Sequence, residues 1–511
     1  MSLHSPDNTR AARVLVNLAG EMIVAGRADD AFAAASGAVA LDGTLPAAWN
    51  AVAAALQGIE GRERQQFDAA GHAVMLDREE PSAWHNLSLA ETRLYRWSEA
   101  LRSAREAVRL CGESYSPYYP AQAAFVAALL LGAEYDGEAL EYLRLVESQA
   151  AKLDPQDAGM FVAESSILRA IIGARSGDWS IHFRELRRRH KLATNLNHPL
   201  AIAERRGLLW RMGMPAKPRA VVFLEWGFGD QIQFARLVER VHILGVQHVT
   251  VCCSRPLVDL MRGLRGVDHA IAHEDLDLGG ALPAGRYMER EFGPKGDAIL
   301  VPVIDLMEYA YQAGLFPLGS WRGPYLQAPE SDPWLDRVEG KIAVTFSWQG
   351  DPRQQVDFAR RVPFREFAAW ASANRDRYTF HSVQTRFGGY CAPWDGWPEG
   401  VPLQDCGQHI ETMADAAAWI AASDVYVGQC GGNLHLAGAL GHPAVGLLCH
   451  SHDWRWNLAE PLYDFPLVSQ TVLGDWSSAF DQLNGVICSL EAAGRFALQP
   501  SGAGRLIPTG E

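Results

Sequence analysis

The chain has 511 residues, 48% hydrophobic and 21% charged, with a formal net charge of −14 at neutral pH, enough for about three packed domains. That acidity argues against nucleic acid or an anionic membrane surface as the principal partner, since either calls for a basic field. No run of about 18 apolar residues occurs and no basic region precedes an apolar core at the N-terminus, so neither membrane insertion nor secretion is expected. The eight cysteines (111, 252, 253, 391, 406, 430, 449, 488) form no C-x-x-C pair and no spacing of a zinc site or disulfide framework, which fits a reducing cytoplasm.

The first third repeats itself. Trp49 and Trp84 lie 35 residues apart, as do Pro46 and Pro81, and Ala38-Val39-x-Leu41-Asp42 recurs as Ala73-Val74-x-Leu76-Asp77 and as Ala107-Val108-x-Leu110. A period of 34 to 35 with alanine at helix crossings predicts stacked helix pairs, none able to bury its apolar face alone. The turns at Gly26–Ala31 and Tyr95–Leu101 fall between the two helices of a pair, and Glu134–Ala139 and Ser176–Trp179 continue the pattern more loosely. This resembles tetratricopeptide repeats, and an array of residues 1–195 is expected to bind a protein. A basic cluster at Arg184–Lys191 reads either as a solvated helix face or as a contact for an acidic acceptor or a phosphate.

A linker helix is expected over 196–217, running through Trp210 and ending before Met214–Pro218. Apolar runs at 219–224, 248–253 and 298–303 alternate with helical stretches, the mark of a parallel sheet in a first Rossmann-like half over 218–330. A second half over 338–495 is expected to carry strands at 342–347, 378–384, 424–427 and 443–449, with a helix over 412–422. Gln327–Arg337, with Pro329 and Pro333, is the expected hinge, and the Gly- and Ser-rich residues 500–511 are expected to be disordered.

Two strand-to-helix turns stand out. Glu225-Trp226-Gly227-Phe228-Gly229-Asp230 follows the first strand of the first half, and Gly428-Gln429-Cys430-Gly431-Gly432-Asn433 precedes a helix containing His435. Free N–H groups at such helix starts suit phosphate or carboxylate, which suggests a cleft between the halves. A dinucleotide-cofactor reading of the first turn is weak, because Gly227-x-Gly229-x-x-Ile232 lacks the third glycine.

With Phe346–Pro352, Asp357–Pro363, Ser382–Gln384, His435–Pro443 and Asp453–Trp456 added, residues 218–480 resemble bacterial glycosyltransferases of the heptosyltransferase-like family 9, in the branch fused behind tetratricopeptide repeats. The region is more distantly similar to O-GlcNAc transferases. The resemblance implies a helical solenoid followed by a GT-B fold, a nucleotide-sugar donor in the second half, a protein acceptor such as flagellin, cytoplasmic work, and no cofactor or metal. It places the general base at Asp230, for which an N-terminal helix cap is the competing reading. Arg360 falls where the family has the cation for the donor phosphates, with an ion pair to Asp357 as the alternative; Arg361 stands beside it. Trp348, Gly350, Gln384, Gly431, Gly432, Asn433 and His435 fall at donor-binding positions, and Gly227 and Gly229 in the acceptor-side loop. Trp348 also reads as a core residue and His435 as a hydrogen-bonded core histidine; Asp453–Trp456, in the loop after the last long strand, reads equally as a ligand-binding loop at the carboxyl edge of the sheet and as an interdomain latch. Where most relatives carry Asp-Thr this chain has Cys430-Gly431, a departure that also leaves open a non-catalytic repeat adaptor. Transfer to a lipopolysaccharide-type glycan is a third reading.

Overall fold

The structure, a computed structural model, describes residues 6–57, 59, 61–112, 115–150, 152, 155–192, 198–276, 298–314, 323–330, 333–351, 357–384, 396–458 and 461–496. The side chains of 155–164, 189–192, 205 and 358 are not described. The expected tail at 500–511 and the last part of the basic cluster therefore lie outside the described residues. The chain divides into two compact units, Met1–Thr194 and Asn195–Glu511.

The first unit is an array of five helix pairs: α1 (Pro6–Val24) with α2 (Ala28–Leu41), α3 (Pro46–Leu56) with α4 (Glu63–Leu76), α5 (Pro81–Arg93) with α6 (Trp97–Leu110), α7 (Tyr118–Leu131) with α8 (Asp136–Ala150), and α9 (Pro155–Arg175) with α10 (Trp179–Leu192). Pro46 and Pro81 each open a helix, where the missing N–H costs nothing and φ is already helical. The period reappears in hydrogen bonds. Trp49 Nε1 donates to the Gly43 carbonyl at 2.8 Å and Trp84 Nε1 to that of Arg78 at 2.9 Å, while the Asp42 and Asp77 carboxylates accept from the N–H two residues on. Ala38, Ala73 and Ala107 are fully buried at the crossings. In the three-residue turns within pairs one, three and five, the central residue is left-handed: Gly26 at φ +72°, Tyr95 at +59° and Gly177 at +77°. In the last pair, Glu185 receives both Arg184 and Arg188 at 3.4 Å, so these two arginines pair within the array.

The second unit opens with α11 (Pro199–Arg205). The helix expected through Trp210 stops there, because Gly207 turns left-handed at φ +65° and Leu208–Trp210 run beside the first sheet, Trp210 N donating to the Leu300 carbonyl at 2.8 Å. That sheet is wholly parallel, in the order β3 (His269–Ala272), β2 (His248–Cys253), β1 (Arg219–Phe223), β4 (Ala298–Pro302). Its inner face packs Val221, Phe223, Cys252 and Leu300 against Leu200 and Ala203 of α11.

The second sheet is also wholly parallel: β10 (Leu467–Ser469), β9 (Ala444–Leu448), β8 (Val425–Gln429), β5 (Ile342–Ser347), β6 (Tyr378–Ser382), β7 (Leu403–Asp405). Ile342, Val344, Phe346 and Trp348 point to one side by the period of two, into a core with Phe367, Trp370, Leu483 and Ile487. The expected class, a helical array followed by parallel-sheet α/β halves, is the one observed. Between the halves, Tyr325 N and Leu326 N both donate to the Ala439 carbonyl, at 3.0 and 3.1 Å, and Arg337 is pinned to Asp424 at 3.0 Å. The expected hinge thus lies against the second half at both ends; residues 331–332 are outside the described residues.

Candidate functional site

In each sheet the strand order reverses once, between β1 and β4 and between β5 and β8. Open α/β sheets bind ligands at the carboxyl ends of the strands bordering such a point. The two glycine turns sit there: the first joins β1 to α12 (Phe228–Ala235), the second joins β8 to the helix Gly432–Leu440. The two helix starts meet. A Cβ on Gly229 would lie 2.8 Å from the His435 ring and 3.6 Å from Gly432 N, and a Cβ on Gly432 3.8 Å from Gly229 N. At 229 only glycine allows this approach, while a methyl at 432 would sit in ordinary contact; the meeting gathers two positive helix ends.

Acidic groups offset that charge. Asp230 is the third residue of α12; its Oδ2 accepts from Gly227 N at 3.1 Å, and its Oδ1 accepts from Arg455 Nη1. Arg455 lies in the helical turn Trp454–Asn457 of the second half and holds Asp453 through Nε and Nη2 at 2.8 Å each. Burial would raise the Asp453 carboxyl, but the Arg455 charge and hydrogen bonds bring it down to about 2. Asp230 thus caps its helix, as the competing reading has it, and stands in an ion pair with the second half.

Arg360 closes the single helical turn Asp357–Arg360 and donates through Nε to the buried Asp357 at 3.0 Å. Burial raises the Asp357 carboxyl, with Arg360 pulling the other way. Gly350 makes room for this pair: a Cβ there would fall 2.5 Å from Arg360 Nη2. Arg361 is half-buried, its N–H on the Asp357 carbonyl at 2.9 Å.

Three donor-side expectations change in character. The Trp348 ring is 3% exposed and packs on Phe364 and Phe346 at centroid distances of 5.0 and 5.8 Å; it is core, because it continues the inward face of β5. Gln384 is buried and turned onto the loop after β5: its Oε1 accepts from Trp348 N and Gln349 N at 3.1 Å, and Nε2 donates to the Gln349 carbonyl at 3.0 Å. His435 is buried, with Nδ1 3.1 Å from the Tyr463 hydroxyl and its ring stacked on Trp456 at 5.2 Å. Burial, then the Arg455 charge, pushes its imidazole down to about 3, so it faces the cleft neutral and not as a cation for phosphate. Asn433 donates to the Val383 carbonyl at 2.9 Å, tying the second turn to β6. Gly431 is the residue before the helix, and a Cβ there would lie 2.6 Å from Gln429 Nε2.

Cys430, where the resemblance has an acid, accepts from Trp456 Nε1 at 2.9 Å. Arg236 gained no role from the sequence, and Arg455 only a share in the Asp453–Trp456 latch, which its contact with Asp230 matches. Arg236, at the end of α12, is buried between Tyr325 and Tyr463, 4.8 and 4.7 Å from their ring centroids, and donates to the Leu462 carbonyl at 3.1 Å. An arginine just after the Gly-Asp helix, with another in the Asp453–Trp456 turn, was the signal available. Among the described residues no three His, Cys, Asp or Glu side chains cluster as metal ligands.

No protein-family model matches the chain, and no curated protein does. Solved structures similar to it include a mutant O-GlcNAc transferase of Thermobaculum terrenum (14% identity, 96% of this chain and 92% of that one, TM-score 0.32). The family 9 glycosyl transferase of Veillonella parvula is similar over 55% of this chain and 98% of its own, at 13% identity and a TM-score of 0.38. The tetratricopeptide-repeat protein YrrB is similar over 38% of this chain and 90% of its own, at 17% identity and 0.29. At these identities and scores, any assignment has to come from the cleft's own residues.

Proposed function

We propose that the protein is a glycosyltransferase that moves a sugar from a nucleotide donor to a hydroxyl of a protein acceptor recognised by the repeats, with no metal in the reaction. The observation that carries this is the meeting of two helix starts, one from each half, with Asp230 and Arg455 at them and Arg360 close enough for its charge to act on His435 and Cys430. In this reading the acceptor oxygen attacks the anomeric carbon and gives its proton to the Asp230 carboxylate. The bond from that carbon to the donor phosphate breaks, and the phosphate keeps the electron pair. The N–H groups at Gly431–Asn433 and the Arg360 guanidinium stabilise the departing charge. An arriving phosphate also competes for Arg455, which releases Asp230 to act as base. Flagellin is the acceptor the sequence resemblance offers.

A thermal-unfolding panel with CMP, UDP, GDP and ADP tests the reading. Binding to the folded state stabilises by about 2.7 kcal/mol at a hundredfold excess over Kd. We expect one nucleotide to raise the midpoint and its sugar conjugate to be turned over. A second reading, a repeat adaptor without catalysis, is favoured by one observation: Asp230 is already engaged by Gly227 N and Arg455. Binding without turnover would support it.

A further inference from the structure

Among the described residues only Tyr95 and Trp226 combine a side chain with a left-handed backbone, Trp226 at φ +70°. A glycine would adopt this conformation without steric cost, whereas an L side chain is strained there, and such strain persists only where the surroundings over-determine it. The surroundings of Trp226 do so. Gln231 is buried and commits its whole amide to this turn: Nε2 donates to the Trp226 carbonyl and to Ser254 Oγ, both at 2.8 Å, and Oε1 accepts from Ser254 N at 2.8 Å. On the next residue, Gly227 N is tied to Asp230. The indole meets Phe234 edge-on, centroids 6.0 Å apart at 70°, and Trp226 as a whole stays partly open. A clamp built around a strained residue that is not fully buried points to a ring held for use.

We propose that Trp226 is the acceptor-contacting residue of the first half, its indole taking an apolar face of the polypeptide next to the hydroxyl that Asp230 deprotonates. This rests on the transferase reading above. The assignment to acceptor and not donor follows from position. Trp226 shares its turn with Asp230, while the phosphate-holding groups, Arg360 and the Gly431 turn, belong to the second half. Flat aromatic faces suit the C–H-rich surfaces of side chains flanking a serine or threonine.

The test compares parent protein with Trp226→Gly, which removes strain and ring together, and Trp226→Phe, which keeps a ring on the same backbone. The donors are UDP-, GDP-, ADP- and CMP-linked sugars, and the acceptors are water (donor hydrolysis), recombinant flagellin and a pool of octapeptides each holding one serine or threonine. We expect Trp226→Gly to unfold within about 2–4 °C of the parent and to hydrolyse donor within about twofold of it. Its KM for the polypeptide acceptor should rise about tenfold or more, roughly one good aromatic contact, with Trp226→Phe recovering part of the loss. Hydrolysis and transfer falling together, or an unchanged acceptor KM in Trp226→Gly, would overturn the inference while leaving the transferase reading in place. A parent protein that neither hydrolyses nor transfers from any of these donors overturns the reading and the inference with it.

Discussion

Arg455 of the second half donates through Nη1 to the Asp230 carboxylate of the first half while gripping Asp453 with its other two nitrogens. One guanidinium thus ties the halves together, beside Arg236 on the Leu462 carbonyl, and occupies the candidate base. Thermal unfolding of Asp230→Asn, Arg455→Gln and the double variant should give a coupling of about 1 kcal/mol, modest because both side chains keep some solvent contact. Additive losses would show that the contact does not couple the halves. In turnover, Arg455→Lys keeps a charge but loses the fork, so donor KM should rise.

Arg360 has two jobs in this account, and they separate experimentally. Its removal leaves Asp357, 2% exposed, without this partner and should cost on the order of 1–3 kcal/mol, less than for a fully buried pair because Arg360 is part-exposed. Arg360→Ala with Asp357→Asn should regain most of that stability and none of the turnover. Recovery of both would make Arg360 structural only.

Gly229→Ala places a methyl 2.8 Å from the His435 ring at the meeting of the helix starts. Overpacking of this kind costs about 1–3 kcal/mol, and we expect transfer to fall further than stability does, since the two turns to which the proposed function gives phosphate and base are pushed apart. Equal nucleotide-induced shifts and equal turnover in Gly229→Ala would count against the cleft as the working site.

Acid should weaken the second unit. Burial, then the Arg455 charge, holds His435 at about 3 against an ordinary 6.5, so the folded state refuses a proton the unfolded chain takes up below about pH 6.5. That stability is full above pH 6.5 and is lost as pH falls toward 3. His381 and His442, each pushed to about 4 by burial, act in the same direction. Asp453, at about 2 against an ordinary 3.8, contributes stability that disappears only as pH drops through that lower window. Unfolding midpoints from pH 7 to 4 should decline, and His435→Gln should flatten the slope by about one proton; an unaltered slope would contradict the neutral buried imidazole.

In the repeat array, Tyr95 occupies the turn position that Gly26 and Gly177 fill elsewhere, at φ +59°. Gly26→Ala and Gly177→Ala should each destabilise by about 1 kcal/mol. Tyr95→Gly should come out nearly neutral, relief of strain offsetting the freer unfolded chain, as measured by denaturant midpoints.

The array was legible because its signals are local and repeated: Pro46 and Pro81 open helices, and Trp49 and Trp84 make the same hydrogen bond one period apart. The two glycine turns were legible for the same reason, each being a strand, a glycine and a helix start within ten residues. The short edge strands β3, β7 and β10 carry three or four residues each, too few for a period to register. The sequence leaves Trp348 between the ligand and the core, although its parity with Phe346 and Val344 places it in the core. The Asp230–Arg455 contact spans 225 residues, and nothing in local pattern pairs one acid at a helix start with one distant arginine; only the packing of two sheets does.

The most direct measurement is the rate of sugar transfer by purified parent, Asp230→Ala and Arg360→Ala proteins, with the nucleotide sugar chosen by the thermal panel. The account predicts that both variants bind to the acceptor as the parent does while turnover falls by about 10² or more, the scale of losing a positioned base or a charge-stabilising donor. Turnover in either variant equal to that of the parent would contradict it.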